Sequence, residues 1–135
     1  MILRIYSDGG SRGNPGPSAY GVVVTEGSKV IHEESGFLGR MTNNQAEYRG
    51  LIAGIGKALE LGAEEAEFIM DSQLVIKQMR GEYRVKAPGL VELHNDAKNL
   101  SSLIPKVKFI NVRRHELLIP RADELVNAEL DRHQD

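Results

Sequence analysis

The sequence predicts an α/β fold in which a mixed β-sheet carries helices on its faces. Three strand-like segments come first in the chain, and a two-residue turn separates the second from the third. Two further strand-like segments follow, and helical periodicity surrounds them. An antiparallel meander that continues into β–α units is typical of a mixed sheet covered by helices.

The first three strands are predicted at residues 2–7, 19–26 and 29–37, where short runs of apolar and β-branched residues occur. Gly27-Ser28 separates the last two runs and suits a tight hairpin. Between the first two runs lies YSDGGSRGNPG, which contains four glycines and a proline and is predicted to be a loop. An aspartate, Asp8, therefore follows the first strand directly.

A long helix is predicted to begin at Asn43, because apolar residues recur at helical spacing until Gly62 supplies a stop. The apolar positions are Tyr48, Leu51, Ile52, Ile55 and Leu59. Gly50, Gly54 and Gly56 also lie inside this helix, where each costs about 0.5–1 kcal/mol relative to alanine. We expect close packing of the helix against the sheet to explain them.

The remaining elements alternate between strand and helix. The pattern predicts a strand at 66–71, helices at about 72–80 and 89–103, a strand at 106–112 and a last helix from Pro120 to about residue 132. The predicted order is therefore β-β-β-α-β-α-α-β-α.

The composition is that of an ordinary globular domain. The chain has 135 residues, a net charge of −2 and no cysteine, so a disulfide framework and thiolate metal chemistry are excluded. No apolar run approaches the roughly 20 residues that a membrane span needs, and the N-terminus has no signal-peptide pattern. We expect residues 1–135 to form a single domain of a monomeric, cytoplasmic protein with no membrane partner.

Two basic segments interrupt the otherwise balanced charge. Residues 77–86, KQMRGEYRVK, have four basic side chains and one acid, and residues 106–114, KVKFINVRR, have four and none. Such runs are most often solvated faces, and a strip that follows a polyanion is the alternative. The charge pattern alone leaves both interpretations open.

Four acids stand at element boundaries, and each has an ordinary structural explanation. Asp8 is typical of a turn, and Glu47 follows Asn44 at the spacing of a helix capping box. Asp71 precedes a helix, where aspartate is a common N-cap, and Asp123 falls in the predicted first turn of the last helix. Taken singly, none of the four indicates catalysis.

The predicted topology brings these acids together. If the first and fourth strands are parallel neighbours, Asp8 and Asp71 emerge at the carboxyl edge of the sheet, where open α/β sheets bind their ligands. Carboxylates in such a cluster raise one another's pKa unless a cation lies among them. Oxygen-only ligands suit Mg²⁺ or Mn²⁺, and two such ions assist phosphodiester hydrolysis. The hypothesis is a metal-dependent phosphodiester hydrolase with the ligands Asp8, Glu47, Asp71 and Asp123.

Four segments in order resemble the successive motifs of type 1 ribonuclease H. They are YSDGGSRGNPGPSAYG, TNNQAEYRGLIAGI, MDSQLVIKQMRGEY and ADELVNAEL, and the resemblance runs from about Ile2 to Leu130. The family implies a five-stranded sheet in the order 3-2-1-4-5, with the first three strands antiparallel. It also implies endonucleolytic cleavage of the RNA strand of an RNA–DNA hybrid, assisted by two Mg²⁺ or Mn²⁺ ions. The products would carry 5′-phosphate and 3′-hydroxyl ends, and the acidic tetrad would be Asp8, Glu47, Asp71 and Asp123.

Recognition of a hybrid requires contacts with both strands. The RNA strand is marked by 2′-hydroxyls in a shallow minor groove, which backbone amides near a glycine-rich segment and side-chain amides can contact. The residues expected to do this are Gly9, Gly10, Ser11, Asn43, Asn44 and Gln73. The resemblance also implies a pocket for a DNA phosphate before the first helix, formed by Arg40, Thr42 and Asn43, with Asn14 beside it.

Two segments depart from the family pattern. Many relatives carry a long basic protrusion with tryptophan, whereas this chain has only MRGEYRVKAPG and no tryptophan. We expect its basic side chains, with Tyr83, to form a smaller substitute. The segment RRHELLIPRAD replaces a longer glycine-rich histidine loop. Here His115 is a candidate to protonate the leaving oxygen or to assist product release, and a structural role is equally consistent with its position.

Three other functions fit parts of the sequence. A non-catalytic hybrid-binding domain would be expected to lack one or more of the four acids. A two-carboxylate glycosidase would need no metal and more aromatic residues than the 5% present here. A related exonuclease or junction resolvase would share the fold, and the DGGSRGNPG and TNNQAE segments argue against it.

Overall fold

The computed structural model describes residues 1–134 and has the predicted succession of elements. The strands are β1 (Ile2–Ser11), β2 (Gly16–Glu26), β3 (Lys29–Met41), β4 (Glu65–Met70) and β5 (Lys106–Asn111). The helices are α1 (Asn43–Glu60), α2 (Gln73–Met79), α3 (Pro88–Ser101) and α4 (Ile119–Arg132). The strands form one sheet in the order β3-β2-β1-β4-β5, which confirms the expected order. β1, β2 and β3 are antiparallel, while β4 and β5 run parallel to β1.

Helices cover both faces of the sheet, as predicted. On one face α1, α2 and α3 bury the larger apolar core, to which β1 contributes Leu3 and Ile5. On the other face α4 packs Ile119 and Ala122 against Tyr6 and neighbouring strand residues. Burial of apolar area on each face, at about 25 cal/mol per Å², is what holds the helices to the sheet. No helix in the described part of the chain is long and apolar enough to span a membrane.

Strand β1 is longer than predicted and includes the first part of the glycine-rich segment. Asp8–Ser11 pair with Ser18–Gly21 of β2, although the parallel pairing of β1 with β4 ends at Tyr6. The expected loop therefore begins only after Ser11, because antiparallel pairing with β2 outweighs the turn propensity of the glycines. Asp8 is not a turn residue but lies inside a strand, just beyond the end of the β4 ladder.

Two of the three glycines inside α1 explain the close approach of this helix to the sheet. A Cβ on Gly50 would lie 2.8 Å from the Asp8 carbonyl oxygen, and one on Gly54 would lie 2.7 Å from Cγ2 of Ile5. The same expectation is wrong for Gly56, since a Cβ added there would have no heavy atom of the described residues within 4 Å. Gly56 faces solvent, so no close packing contact explains the presence of a glycine at this position of the helix.

The N-terminus of α1 is capped by residues that differ from those predicted. The Thr42 hydroxyl accepts the Gln45 N–H at 3.2 Å, and Gln45 Oε1 accepts the Thr42 N–H at 2.9 Å. This pair forms the capping box, so the predicted pairing of Asn44 with Glu47 is wrong. Glu47 is consequently free to turn toward the sheet.

Candidate active site

Three of the four predicted acids converge at one edge of the sheet. Asp8 comes from β1, Glu47 from the second turn of α1, and Asp71 from the residue after β4. Each offers a carboxylate oxygen, and these oxygens all lie within 4.8 Å of one another. Asp8 and Glu47 are only 8% and 6% exposed. Such a spacing is suitable for shared coordination of a cation.

The first turn of α1 is held against β1 by the absence of a side chain at Gly9. A Cβ there would lie 2.1 Å from the Ala46 carbonyl oxygen and 2.5 Å from the Glu47 nitrogen. The close approach lets the Gly9 N–H donate to Glu47 Oε1 at 2.8 Å. The Gly9 amide, which was expected to contact the substrate, thus orients a carboxylate in this structure.

Asp71 and Asp123 also occupy positions that differ from their ordinary explanations. The N-cap of α2 is Ser72, whose hydroxyl accepts the Val75 N–H at 3.3 Å, so Asp71 is not needed as a cap. Asp123 lies beyond the first turn of α4, which contains no acid. It is exposed and outside the group of three acids identified in the described residues. Asn127 donates to its Oδ2 at 3.3 Å.

A polar cavity of about 250 Å³ encloses the acids. Asp123 and Arg114 stand in its wall together with the three clustered carboxylates, and Gly10, Ser11 and Asn43 extend the lining. Arg114 Nε lies 3.8 Å from Asp71 Oδ2. Sequence reasoning did not select Arg114, although it closes the basic run 106–114. Arg114 reaches the cavity because the turn after β5 lies beside the end of β4.

Burial makes the clustered carboxyls unusually hard to ionise. Burial, and then the charge of Asp71, raise the pKa of Asp8 to about 7. Burial and the neighbouring Asp8 raise the pKa of Glu47 well above its ordinary value. Burial also raises the pKa of Asp71, against the opposing effect of Arg114. A bound cation would remove this penalty, because it favours the ionised form of each group.

These shifts predict that the metal-free protein loses stability as the pH rises from about 4 to about 7. Folded-state pKa values above those of the unfolded chain favour the native state at low pH, and this contribution is lost on ionisation. We expect the free energy of unfolding to fall by a few kcal/mol across this interval, at about 1.4 kcal/mol per pH unit for one proton. Urea unfolding in EDTA at several pH values measures this decrease in the free energy of unfolding.

Two comparisons sharpen this experiment. Saturating Mg²⁺ should flatten the decline, since it binds the ionised cluster. Glu47→Gln, which retains an acceptor for the Gly9 N–H, should make the decline shallower without metal, because Asp8 and Asp71 still titrate. A stability that stays level or increases from pH 4 to pH 7 in EDTA would show that the cluster ionises normally.

A second cavity, of about 730 Å³, adjoins the acidic one and collects five of the predicted substrate-binding residues. These are Ser11, Asn14, Thr42, Asn43 and Asn44. The Asn43 N–H donates to Asn14 Oδ1 at 2.8 Å, and the Ser11 N–H donates to Asn43 Oδ1 at 3.2 Å. These hydrogen bonds join the end of β1 to the start of α1. Ala87, Gly89 and Leu90 close the opposite wall.

The other predicted site residues line neither of these two cavities. Arg40 is exposed near the end of β3 and lines a separate cavity of about 370 Å³, which shares Gln45 and Gly89 with the second cavity. Gln73 is exposed at the first position of α2. His115 is exposed in the turn between β5 and α4, and the acidic cavity is lined by its neighbour Arg114 rather than by His115.

The 3-2-1-4-5 sheet with acids at the end of its central strands defines a protein of the ribonuclease H-like fold. The model of the family described as reverse transcriptase-like matches residues 6–127. The crystal structure of RNase H1 from the archaeon Halobacterium salinarum is 38% identical, covering 98% of this chain and 99% of that one with a TM-score of 0.93. The chain belongs to the type 1 ribonuclease H family within this group.

Two further relatives are similar to almost the whole of this chain. A bifunctional protein of Mycobacterium tuberculosis is 47% identical over 133 residues, which are 97% of this chain and 36% of the relative. The chain thus spans about a third of that protein's length. LC11-RNase H1, solved in complex with an RNA/DNA hybrid, is 39% identical with a TM-score of 0.91, covering 97% of this chain and 98% of that one.

Proposed function

We propose that residues 1–135 act as one ribonuclease H domain, which cuts the RNA strand of RNA–DNA hybrids endonucleolytically and leaves 5′-phosphate and 3′-hydroxyl ends. The observation that carries the proposal is the cluster of Asp8, Glu47 and Asp71, whose oxygens lie within 4.8 Å of one another in a chain of this family. We propose further that it works as a monomer in the cytoplasm, where proteins do not depend on disulfides.

The donor atoms at the site fit Mg²⁺ or Mn²⁺. Asp8, Glu47 and Asp71 supply only carboxylate oxygens, which these hard cations prefer. We include Asp123 as a fourth ligand because it lines the same cavity. Two bound ions would supply an activated water and stabilise the departing oxygen of the phosphodiester. The protein itself orients Glu47 through the Gly9 amide and keeps Asp8 and Glu47 largely away from bulk water.

The two adjoining cavities suggest that each of them binds a different strand of the hybrid. The RNA strand would lie over the acidic cavity, where Gly10, Ser11 and Asn43 meet its riboses. Asn44 and Gln73, both exposed at helix N-termini, would extend these contacts. A DNA phosphate would lie in the second cavity against Thr42, Asn43 and Asn14, with Arg40 approaching from the end of β3. The RNA/DNA hybrid bound to LC11-RNase H1 supports a hybrid as the ligand of this surface.

Cleavage of end-labelled substrates tests the proposal directly. We expect the RNA strand of a hybrid to be cut internally in Mg²⁺ or Mn²⁺ but not in EDTA, while DNA duplex of the same sequence stays intact. An RNA duplex in parallel shows whether the DNA strand is required. Binding without cutting would identify a non-catalytic hybrid-binding domain, and removal of nucleotides from the ends alone would identify an exonuclease.

The adjacent residues Arg114 and His115 are expected to differ in their effect on turnover. Arg114→Ala should lower hybrid cleavage about 10- to 100-fold, because its guanidinium lies in the acidic cavity where a substrate phosphate would approach. Its side chain is 89% exposed, so stability should change little. The measurement is single-turnover cleavage at saturating metal.

His115→Ala is the matched variant in the same turn. If His115 donates a proton or assists product release, its removal should lower multiple-turnover cleavage and change its pH profile. Equal, wild-type turnover in both variants would exclude a part for either side chain.

A further inference from the structure

A buried glutamine connects α1 to the basic segment, which we define as residues 80–86, RGEYRVK. Gln78, near the end of α2, is 5% exposed, and Tyr48 in α1 is fully buried. The Tyr48 hydroxyl donates to Gln78 Oε1 at 2.6 Å. Gln78 Nε2 in turn donates to the backbone carbonyl of Arg84 at 3.3 Å. The chain of hydrogen bonds thus runs from the helix beside the acidic cavity to the middle of the basic segment.

Packing alone does not require a polar side chain at this position. Gln78 lies among the apolar residues Val75, Ile76 and Met79 of the same helix, and a buried amide is costly unless its polar atoms are paired. Both ends of the Gln78 amide are paired here, one with Tyr48 and one with Arg84. What the glutamine adds over an apolar residue is a fixed backbone at Arg84.

The segment that it fixes is otherwise exposed and charged. Arg80, Arg84 and Lys86 are exposed, and only Val85 turns inward to pack on the core. The segment leads directly into Ala87, which lines the second cavity opposite the start of α1. Lys86 therefore stands at the border of the surface assigned above to the DNA strand.

We propose that Gln78 is a positioning residue, which holds the basic segment so that Arg84 and Lys86 extend the hybrid-binding surface. The inference rests on the proposed function for its substrate, whereas the anchoring itself is independent of it. A segment fixed before binding loses less conformational entropy when it meets the phosphates of a hybrid. The glutamine thus contributes to affinity without touching the nucleic acid.

The test replaces Gln78 by methionine, which keeps the length of the side chain and removes its hydrogen bonds. Hydrogen exchange of the Gly81, Glu82 and Tyr83 amides, which donate to the Gln78 and Lys77 carbonyls, should accelerate about five- to tenfold. The hybrid dissociation constant, measured by fluorescence anisotropy in EDTA, should increase about three- to tenfold. The cleavage rate at saturating hybrid and Mg²⁺ should stay within about twofold, because the acidic cavity is untouched.

A conservative variant in the same helix controls for general loss of stability. Ile76→Val creates a small core defect beside Gln78 and leaves the hydrogen bonds in place, so exchange in the basic segment and hybrid affinity should remain those of the wild type. In a background carrying Arg84→Gln and Lys86→Gln, Gln78→Met should cause no further loss of affinity.

The outcomes separate this inference from the proposed function. Unchanged exchange or unchanged affinity in Gln78→Met, with normal hybrid binding by the wild type, overturns the role of Gln78 alone. An equal loss of affinity in the charge-neutralised background also overturns it, because Gln78 would then act through the fold. Failure of the wild type to bind hybrid at all overturns the proposed function as well.

Discussion

Replacement of Asp71 by asparagine is expected to lower hybrid cleavage at least about a thousandfold while the protein stays folded. Asp71 is one of three acids whose oxygens lie within 4.8 Å of one another, and it is the least buried of the three. Asparagine keeps the shape of the side chain but offers a neutral oxygen, which binds a divalent cation poorly. The loss corresponds to about 4 kcal/mol of transition-state stabilisation.

Three measurements make this result specific. Single-turnover cleavage of a labelled hybrid gives the rate, titration calorimetry gives Mg²⁺ affinity, and urea unfolding gives stability. Metal affinity should fall with the rate, whereas stability in EDTA should be unchanged or higher, because one of the repelling carboxylates is gone.

An acid outside the cluster provides the control for this variant. Glu124→Gln removes an exposed carboxylate next to Asp123. The Glu124 side chain is 67% exposed, and its one ion pair among the described residues is with Arg121 in the same helix, at 3.6 Å. Cleavage by this variant should match the wild type. Cleavage by Asp71→Asn at the wild-type rate would exclude the acid cluster as the catalytic centre.

Replacement of Gly9 by alanine is expected to destabilise the protein by about 3 kcal/mol or more. The new methyl group would lie 2.1 Å from the Ala46 carbonyl oxygen, which is backbone and has no rotamer to change. The first turn of α1 would have to move away from β1. That movement would also break the hydrogen bond from the Gly9 N–H to Glu47, so metal affinity should fall with stability.

Gly56→Ala is the matched substitution, since Gly56 lies in α1 with open space around it among the described residues. It should stabilise the protein by about 0.4–1 kcal/mol, the ordinary benefit of alanine over glycine in a helix. Urea unfolding of both variants in EDTA compares them under one condition. A Gly9→Ala protein as stable as the wild type would show that α1 is not packed against β1 as described.

The order and type of the elements could be predicted because residues on the buried face of a helix or strand are apolar and recur at a regular spacing in the sequence. Helical spacing of apolar residues, short apolar runs in the strands, and glycine or proline at element ends were sufficient to predict the order of all nine elements described here. The boundaries were less accurate. β1 extends through Asp8 to Ser11 because β2 pairs with it, and a partner strand is invisible to local turn propensity.

The sequence indicated which acids belong to the candidate site more accurately than it indicated how they are arranged. Asp8, Glu47 and Asp71 meet, whereas Asp123 stands at the rim of the same cavity. The capping roles considered for Glu47 and Asp71 belong to Gln45 and Ser72 instead. A helix-capping residue and a metal ligand can be neighbours in the sequence and belong to the same residue types. Only the direction of the side chain then distinguishes the two roles.

Local patterns were enough to predict a mixed α/β domain whose acids follow strands and begin helices, because propensity and the spacing of apolar residues are local properties. Three features became known only from the folded chain: which carboxylates share a cavity, that Arg114 lines it with them, and that Gly9 allows α1 to pack closely on β1. These features depend on distances of a few ångströms between segments far apart in the chain. Such distances follow from how the helices pack on the sheet, and no local pattern encodes them.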